Sequence, residues 1–536
     1  MELQPREYQK AIVETAKQGN TLVVLPTGMG KTLIAFLLAK YYLESFPRKK
    51  ILLLAPTRPL AEQHFDFFKK SLPELYAELE LFTGKIDSSK RAPLWDTANM
   101  IFSTPQCIAN DLKKRKISLS EVSLLIEDEA HRCLKNYDYT FIAKRYLEQT
   151  KEDGRILAMT ASPGSDAKTI KEICEHLNIS NIEMRNRESE DVKPYIKELQ
   201  TDIIRVEYPE QLASIRDLIK GIYQKKVDEL KNRMLLFGPS SKKNLLELQF
   251  KLRRQLTNGS TNFNVLRGIS VCAQAIKLSH ALELIETQGV TQTHNYLQGI
   301  IEDSNKGVSK AAKQIAGNED FMRAYIDLTK LLGTVEHPKL EKLKELMQEE
   351  IEKNPKARFI VFGQFRDTVV LMNKMMNHIP GLKAKVFIGQ LKKKDDTGMS
   401  QKEQQQVLAE FREGMINVLT STSIGEEGLD LPEVSCVIFY EPIPSAIRKI
   451  QRAGRTARLK PGKLVILMTT KTRDEVNHWT AHYKEKKMNK ILGEMKDKFD
   501  KRSESEGIHD NSSESQEQKG LNVFIDSEKD EDTDRP

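Results

Sequence analysis

The sequence predicts an α/β protein with two doubly wound parallel-sheet lobes, an all-helical insert between them and a disordered acidic C-terminal tail. Three observations support this prediction. Short, nearly continuous apolar runs alternate with helical patterns in two separate stretches of the 536-residue chain. Such runs are typical of parallel strands that helices cover on both faces. Strand patterns are absent between the two stretches, and the end of the chain has few apolar residues.

Each stretch contains five apolar runs that predict strands. In the first stretch, helical segments such as 31–46 link them into βαβ units, and the runs are 21–26, 51–57, 99–105, 122–129 and 155–162. The runs of the second stretch are 357–363, 384–389, 416–422, 435–441 and 463–469. From about Pro209 to Leu332, apolar residues instead recur at spacings of three and four, which predicts helices. The predicted units are a first lobe at 1–200, a helical insert at 205–335, a second lobe at 336–480, a basic helical extension at 481–499 and the tail at 500–536.

The composition is that of an ordinary soluble protein, and most of the chain is basic. Apolar residues make up 39% and charged residues 30%, and the five cysteines are scattered without zinc-ligand spacing. Reduced thiols in a cytoplasmic protein are therefore expected, with neither export nor membrane association. The net charge is +8, but residues 500–536 hold 12 acidic and 5 basic residues, so the remaining body carries about +15. A basic body suits a polyanionic partner, although charge alone does not distinguish nucleic acid from a solvated surface.

A glycine-rich loop, PTGMGKT, directly follows the first predicted strand and opens a helix. Its glycines let the backbone curl so that its N–H groups face a phosphate at a helix N-terminus. Lys31 would reach the β- and γ-phosphates of ATP, and the Thr32 hydroxyl would ligate Mg²⁺. The strict GxxxxGK pattern is not met, because Leu25 stands at the position of its first glycine. The shorter GxGKT form still predicts a nucleotide site, formed by Thr27, Gly28, Met29, Gly30, Lys31 and Thr32.

The sequence DEAH closes the apolar strand of 122–129. A carboxylate at the end of a strand can hold Mg²⁺ beside a phosphate loop, so Asp128 is the predicted metal ligand. Glu129 is then the candidate base that orients the attacking water. In the second lobe, QRAGRTAR places Gln451, Arg455 and Arg458 on one face of a predicted helix. Arginine donors can neutralise charge on a transferring phosphoryl group, and this lobe has no phosphate loop of its own.

Together these motifs resemble those of superfamily 2 helicases, whose lobes have RecA-like folds. The resemblance implies that Arg6 and Gln9 read adenine and that Thr160 and Ser162 of TAS couple hydrolysis to movement. TSTSIGEEGLDLP resembles motif V, which implies that Gly428 and Asp430 lie at the nucleotide between the lobes. VFGQFRDT resembles motif IV. PTRPL, TG and STPQ resemble strand-end loops that grip a nucleic-acid backbone, which implies contacts from Arg58, Thr83, Gly84, Thr104 and Gln106.

The resemblance extends to about residue 490 and is closest to the archaeal Hef and Fanconi-anaemia M branch. Strings such as EDVKPYIKE, EHPKLEKLKE and RDEVNHWTAHYKEKKM carry it. It implies an ATP-dependent motor on forked or branched DNA in repair, and an insert that contacts the duplex. Residues 225–254 hold nine basic and three acidic residues, and the candidate contacts are Lys242, Lys243, Arg253 and Arg254. A solvated helix face is the alternative interpretation of these charges.

Two further expectations concern the C-terminal part. The ERK-centred nuclease motif and helix-hairpin-helix repeats of Hef are missing, so no DNA cleavage is expected. A lost nuclease, a separate nuclease subunit and a truncated chain are each compatible with this pattern. The tail peptide 518–525 resembles sliding-clamp ligands through Gln518, Leu521, Phe524 and Ile525, although a chance match is a serious alternative. Two other functions stay open for the whole chain: a double-stranded-RNA-directed ATPase and a DNA-binding scaffold with a decayed ATPase.

Overall fold

The first lobe is a seven-stranded parallel sheet between two layers of helices. The computed structural model describes residues 4–73, 76–151, 153–257, 262–390, 398–425, 431–456 and 461–506. The strands of this lobe are β1 (Thr21–Val24), β2 (Lys50–Leu54), β3 (Leu79–Phe82), β4 (Met100–Ser103), β5 (Val122–Asp128), β6 (Arg155–Thr160) and β7 (Asn181–Met184). Its helices are α1 (Glu7–Gln18), α2 (Lys31–Ser45), α3 (Arg58–Ser71), α4 (Ser88–Thr97), α5 (Pro105–Lys113), α6 (Asp138–Thr150) and α7 (Ala167–His176).

The strand order of the first lobe is β3-β4-β2-β5-β6-β1-β7, and every pair is parallel. The central strands β1, β2, β4 and β5 are buried at every residue, because apolar clusters cover both faces of the sheet. All strands end at one edge, so the loops that follow them share that edge. The loops after β2, β4 and β3 occupy one half of this edge, and those after β5, β6 and β1 occupy the other.

The second lobe is a six-stranded parallel sheet in the order β10-β11-β9-β12-β13-β8. Its strands are β8 (Leu199–Val206), β9 (Phe359–Phe362), β10 (Ala384–Phe387), β11 (Val418–Ser421), β12 (Cys436–Phe439) and β13 (Gly462–Thr469). Its helices are α14 (Pro338–Lys353), α15 (Arg366–Met376), α16 (Gln401–Glu413) and α17 (Ala446–Ala453). Apolar clusters again pack on both faces of the sheet. The two-lobed α/β fold class is therefore confirmed.

Strand β8 lies before the insert in sequence but belongs to the second lobe. All eight of its residues pair in parallel with β13. The chain just before it, at Val192, Tyr195 and Ile196, still packs on the first lobe. The boundary at residue 200 is therefore corrected: the chain crosses between the lobes at about residue 198. The second lobe takes one strand from before the insert and five from after it.

The insert is a helical bundle whose apolar core is separate from those of the lobes. Its helices are α8 (Glu210–Asn232), α9 (Lys242–Thr257), α10 (Phe263–Thr287), α11 (Val290–Asn305), α12 (Lys310–Ala316) and α13 (Glu319–Leu331). Helix α10 is buried along its length and forms the centre of the bundle. Arg233 hydrogen-bonds Asn264 at 3.1 Å, and Tyr208 hydrogen-bonds the Ile285 carbonyl at 3.0 Å. These contacts at opposite ends show that α8 and α10 run antiparallel.

The last helix, α18 (Arg473–Glu506), connects the second lobe back to the first. Its Lys339–Asp474 ion pair, 2.8 Å long and fully buried, anchors its start to α14. Further along, Met488 and Leu492 enter an apolar core of the first lobe. The helix continues to Glu506, so the prediction of disorder from residue 500 is wrong for its first residues. The predicted basic helical extension at 481–499 is part of this single helix. No helix in the described ranges is long and apolar enough to cross a membrane.

A buried polar cluster lies at the start of α18 and consists of Lys339, Glu441, Arg452 and Asp474. Glu441, only 1% exposed, follows β12 and accepts a hydrogen bond from the backbone N–H of Gln364. Burial raises the pKa of Glu441 to about 7, against the opposing charges of Lys339 and Arg452. The Arg452 guanidinium lies 4.7 Å from the centre of the Phe362 ring. This arginine, next to the predicted catalytic Gln451, thus packs in the core of the second lobe.

Candidate active site

The phosphate loop lies between β1 and α2, as predicted. Gly28 and Gly30 have φ values of 87° and 80°, in the left-handed region that favours glycine. Gly30 is the N-cap of α2, so the first N–H groups of the helix face the concave side of the loop. Lys31 is the first residue of α2, and its ammonium donates to the Leu25 carbonyl at 2.8 Å. The lysine is therefore held at the base of the loop, where a phosphate would meet it.

Helix α1 supports this loop through two side chains. The Tyr8 hydroxyl donates to the Met29 carbonyl at 2.8 Å, and Gln9 Nε2 donates to the same oxygen at 3.3 Å. The Gln9 amide oxygen accepts from the Arg6 backbone N–H at 2.9 Å. A Cβ on Gly30 would lie 2.2 Å from Gln9 Nε2, so a side chain there would displace this hydrogen-bonded amide. The structure thus brings the predicted Arg6 and Gln9 to the phosphate loop, together with Tyr8 of the same segment.

Asp128 ends β5 and both of its carboxylate oxygens are held. Oδ2 lies 2.9 Å from His64 Nε2, and Oδ1 accepts from the Glu129 backbone N–H at 3.0 Å. Burial opposes ionisation, but the hydrogen bond and charge of His64, together with the charge of Lys31, outweigh it and lower the pKa of Asp128. Asp128 is therefore an oriented anion. The Asp128 carboxylate and the hydroxyl of Thr32, in the first turn of α2, are oxygen donors of the kind that Mg²⁺ prefers, so these residues fit that ion.

Glu129 and the TAS segment form the next layer of contacts. Glu129 has a φ of 53°, an uncommon value for a residue with a side chain, and its Oε2 lies 3.3 Å from His131 Nδ1. The same histidine nitrogen lies 3.1 Å from the Thr160 hydroxyl. That hydroxyl oxygen accepts from the Ser162 backbone N–H at 3.1 Å. The predicted coupling residues Thr160 and Ser162 are therefore joined to the DEAH segment through His131, which the sequence analysis did not single out.

Ser162 also contacts the C-terminal helix. Its hydroxyl donates to the Met488 sulfur at 2.8 Å, and both side chains are buried. Lys496, further along α18, lies 3.6 Å from Glu183 on β7. The TAS segment is therefore in contact with the DEAH segment on one side and with a helix that starts in the second lobe on the other.

The second lobe reaches the phosphate loop at the end of α17. A Cβ on Gly454 would lie 2.5 Å from the Thr27 Cβ, so the two backbones are in close approach. Gln451 is buried on α17, as predicted for that helix. The helix ends at Ala453, however, so the prediction that Arg455 lies on its face is wrong: Gly454 is the C-cap and Arg455 occupies the following turn. Arg458, Gly428 and Asp430 lie outside the described residues.

The predicted nucleic-acid loops lie on the other half of the first-lobe edge. Arg58 opens α3 after β2, and its side chain pairs with Glu62 of the same helix at 2.5 Å. Gly84 follows β3, and a Cβ there would meet no atom within 4 Å, so its backbone faces open space. Thr83 is buried beside it. Thr104 and Gln106 flank the start of α5 after β4. The three loops are adjacent because β2, β4 and β3 are neighbours in the sheet.

The four candidate basic contacts of the insert differ in their surroundings. Lys242 is paired with Glu283 at 2.7 Å, and Lys243 lies 3.8 Å from Glu247. Burial alone would raise the pKa of Glu283, but hydrogen bonds from His280 and Lys242 bring it down to about 2. Within the described ranges, Arg253 and Arg254 are exposed and make no ion pair. The two arginines are therefore the better candidates for phosphate contacts, while Lys242 fastens α9 to α10.

The fold and this arrangement define a class of protein: a two-lobed ATPase in which one lobe holds the phosphate loop and the other closes on it. Comparison with known families agrees. The profile "DEAD/DEAH box helicase" matches residues 6–170, and "Helicase conserved C-terminal domain" matches residues 338–460. The insert, at residues 211–333, matches "Putative ATP-dependent RNA helicase, helical bundle".

Individual relatives are similar over most of this chain. A Methanocaldococcus jannaschii protein with the same RNA-helicase name is 39% identical over 498 residues, covering 92% of this chain and 61% of its own length. The Fanconi anemia group M protein homolog of Mus musculus is 33% identical over 86% of this chain and 24% of its own length. The ATP-dependent DNA helicase fml1 of Schizosaccharomyces pombe is 31% identical, with 87% and 57% covered. This chain thus spans less than two thirds of each of these curated relatives.

A solved structure gives the same result at the level of the fold. The crystal structure of the Pyrococcus furiosus Hef helicase domain has a TM-score of 0.69 and 39% sequence identity, over 89% of this chain and 98% of that one. The chain therefore belongs to the superfamily 2 DEAD/DEAH-box helicases, in the branch that contains Hef and the Fanconi-anaemia M proteins.

Proposed function

We propose that the chain is an ATP-driven motor that moves on and remodels forked or branched DNA during repair. The observation that carries this proposal is the contact between Gly454 and Thr27, because it sets the second lobe directly on the phosphate loop. The lobes would close on ATP and reopen after hydrolysis. This motion would change the distance between the second lobe and the first-lobe loops that are predicted to contact nucleic acid. Repeated closing and opening would step the protein along a backbone.

The residues of the site have separate roles in this proposal. The N–H groups of the loop and Lys31 bind the phosphates, and Glu129 accepts the proton of the attacking water. Mg²⁺, held by Thr32 and Asp128, supplies charge neutralisation at the phosphates when it is bound. Arg455 approaches from the second lobe and stabilises negative charge that develops in the transition state. These five residues come from both lobes, so turnover requires closure.

The choice of DNA over RNA rests on the relatives. Those named as Fanconi anemia group M proteins and ATP-dependent DNA helicases support branched DNA. The RNA-helicase names of the Methanocaldococcus jannaschii relative and of an Arabidopsis thaliana relative support the alternative, an RNA-directed ATPase. ATP turnover measured with forked DNA, single-stranded DNA and double-stranded RNA in one assay distinguishes the two. Forked DNA should give the largest stimulation, and stimulation by double-stranded RNA alone would favour the alternative.

Residues 518–525 lie outside the described residues, and we propose them as a sliding-clamp ligand on sequence grounds. Leu521 and Phe524 are spaced to lie on one side of a single helical turn, where they would fill an apolar pocket. The full chain should be retained on immobilised cognate clamp, whereas the Leu521→Ala/Phe524→Ala double variant should pass through. Equal retention of both proteins would refute this role.

A further inference from the structure

The contact between His64 and Asp128 joins the two functional halves of the first-lobe edge. His64 Nε2 lies 2.9 Å from Asp128 Oδ2, and the two side chains are 5% and 8% exposed. His64 belongs to α3, which opens with the nucleic-acid loop after β2. Asp128 ends β5, which belongs to the nucleotide half. A buried polar contact at this position is therefore a direct link between the two halves.

The hydrogen bond has a defined direction. Within the described residues, His64 Nδ1 is buried and makes no hydrogen bond. An ionised carboxylate can only accept hydrogen bonds, so Nε2 is the donor in this contact. The other carboxylate oxygen accepts from the Glu129 N–H. Together these donors set the rotation of the Asp128 carboxylate. Partners of this kind orient a metal-binding carboxylate without touching the metal.

Helix α3 is a rigid connection from the nucleic-acid loop to this histidine. Ala61, His64 and Phe68 form its buried face, and His64 lies six residues after Arg58, about 9 Å along the helix axis. The other end of the same loop is also tied to Asp128. The Tyr139 hydroxyl lies 3.2 Å from the Leu54 carbonyl and 2.8 Å from the Asp128 carbonyl. The loop that follows β2 is thus linked to Asp128 on both sides.

We propose that His64 is a positioning residue that couples nucleic-acid contact at the start of α3 to the orientation of the Asp128 carboxylate. This inference rests on the proposed roles of Asp128 in holding Mg²⁺ and of the loop after β2 in gripping nucleic acid. A backbone phosphate bound at the start of α3 fixes the helix. The fixed helix keeps the His64 N–H in place. This donor in turn keeps the Asp128 carboxylate in the orientation that binds Mg²⁺.

The test measures Mg²⁺ dependence of nucleotide binding without turnover, using a fluorescent ADP analogue titrated with MgCl₂ in the presence and absence of forked DNA. His64→Asn removes the reach of the donor, whereas His64→Gln keeps an amide N–H at nearly the original distance. We expect His64→Asn to raise the Mg²⁺ concentration at half-saturation about tenfold, the lower end of effects seen for such partners. His64→Gln should keep the Mg²⁺ concentration at half-saturation close to the native value. DNA should lower the half-saturation point in the native protein and much less in His64→Asn.

Three controls keep the outcomes separate. His294→Asn changes another buried histidine, in the insert, and should leave Mg²⁺ dependence unchanged. Circular-dichroism melting checks that each variant is folded; if His64→Asn is not, the comparison of His64→Gln with His64→Leu decides in its place. Asp128→Asn should abolish the Mg²⁺ dependence, and its failure to do so would refute the role of Asp128 rather than that of His64. Native Mg²⁺ dependence and native response to DNA in a folded His64→Asn protein would overturn the proposal.

Discussion

Gly454 of the second lobe and Thr27 of the phosphate loop approach so closely that a Cβ on the glycine would lie 2.5 Å from the threonine Cβ. Gly454 has a φ of −68°, which any residue adopts, so the close approach and not the backbone conformation requires glycine here. The approach of the second lobe to the phosphate loop thus depends on the small size of Gly454.

Gly454→Ala should therefore weaken closure without harming either lobe. The added methyl group costs about 1–3 kcal/mol if the contact is kept, which corresponds to a roughly 5- to 150-fold loss of the closed arrangement. ATP turnover should fall by a factor in this range, while the melting temperature stays within a few degrees. Gly299→Ala, at an open position on α11, is the matched control. Native turnover in Gly454→Ala would show that the lobes do not need this contact.

Arg455 should affect the rate of hydrolysis far more than nucleotide affinity. Arginines that stabilise transition-state charge supply about 10³–10⁵ in rate, and Arg455→Ala should lose turnover on this scale with ATP affinity nearly unchanged. Arg455 is buried, so its loss can also disturb packing. Arg455→Lys is therefore a second variant, which keeps a long charged side chain but loses the planar guanidinium donors. Arg323→Ala on the exposed side of α13 is the control. Weakened ATP binding with a native maximal rate would contradict the transition-state role.

The exposed arginines of α9 should dominate the salt dependence of DNA binding. Each lost phosphate contact lowers the log–log salt slope by roughly 0.9, so Arg253→Gln/Arg254→Gln should flatten it visibly. Lys242→Gln should change the slope less, because Lys242 already neutralises Glu283 at 2.7 Å. The pair Lys353→Gln/Lys356→Gln, on the second lobe, controls for overall charge. If the arginine variant keeps the native slope and fork affinity, the insert does not grip DNA through this face.

Glu441 should make stability fall as the pH rises. Its folded pKa of about 7 lies above the ordinary glutamate value of 4.5 because the side chain is buried. Between these values the folded protein holds a proton that the unfolded chain has lost, so folding is favoured at the low end of this window and less at the high end. Glu441→Gln removes this dependence. Its melting temperature relative to the native protein should rise from pH 5 to pH 8, and a constant difference would refute the shifted pKa.

The strands that the sequence patterns missed are all at sheet edges. β3, β7 and β8 lie at the ends of their sheets. Only one residue of β3 (LELF) and none of β8 (LQTDIIRV) is buried. A search for continuous apolar runs finds strands that are covered on both faces, and it overlooks edges that water can reach. The ten strands that were predicted are all present, and nine of them lie inside their sheets. The tenth, β10, is an edge strand whose two end residues are buried.

The candidate site could be predicted where its residues are consecutive. PTGMGKT forms its loop from neighbouring residues, so spacing alone indicates the phosphate site. The contacts that join segments could not be predicted in this way: His64 and Asp128 are 64 residues apart, and Ser162 and Met488 are 326 apart. These pairs meet only because the parallel sheet brings strand ends together and α18 returns to the first lobe. The end of α17 at Ala453 was also not predicted, because the residues on both sides of it follow a helical pattern.

The central claim is that ATP hydrolysis drives movement on branched DNA, and a branch-migration assay tests it most directly. A labelled Holliday junction with homologous arms is incubated with the native protein, with ATP or a non-hydrolysable analogue, and with Lys31→Ala. Lys40→Ala, at an exposed position on the same helix, serves as the matched control. The native protein and Lys40→Ala should convert the junction to products only with ATP. Lys31→Ala should bind the junction and leave it intact. Junction-stimulated ATP hydrolysis by the native protein without any branch migration would contradict the account.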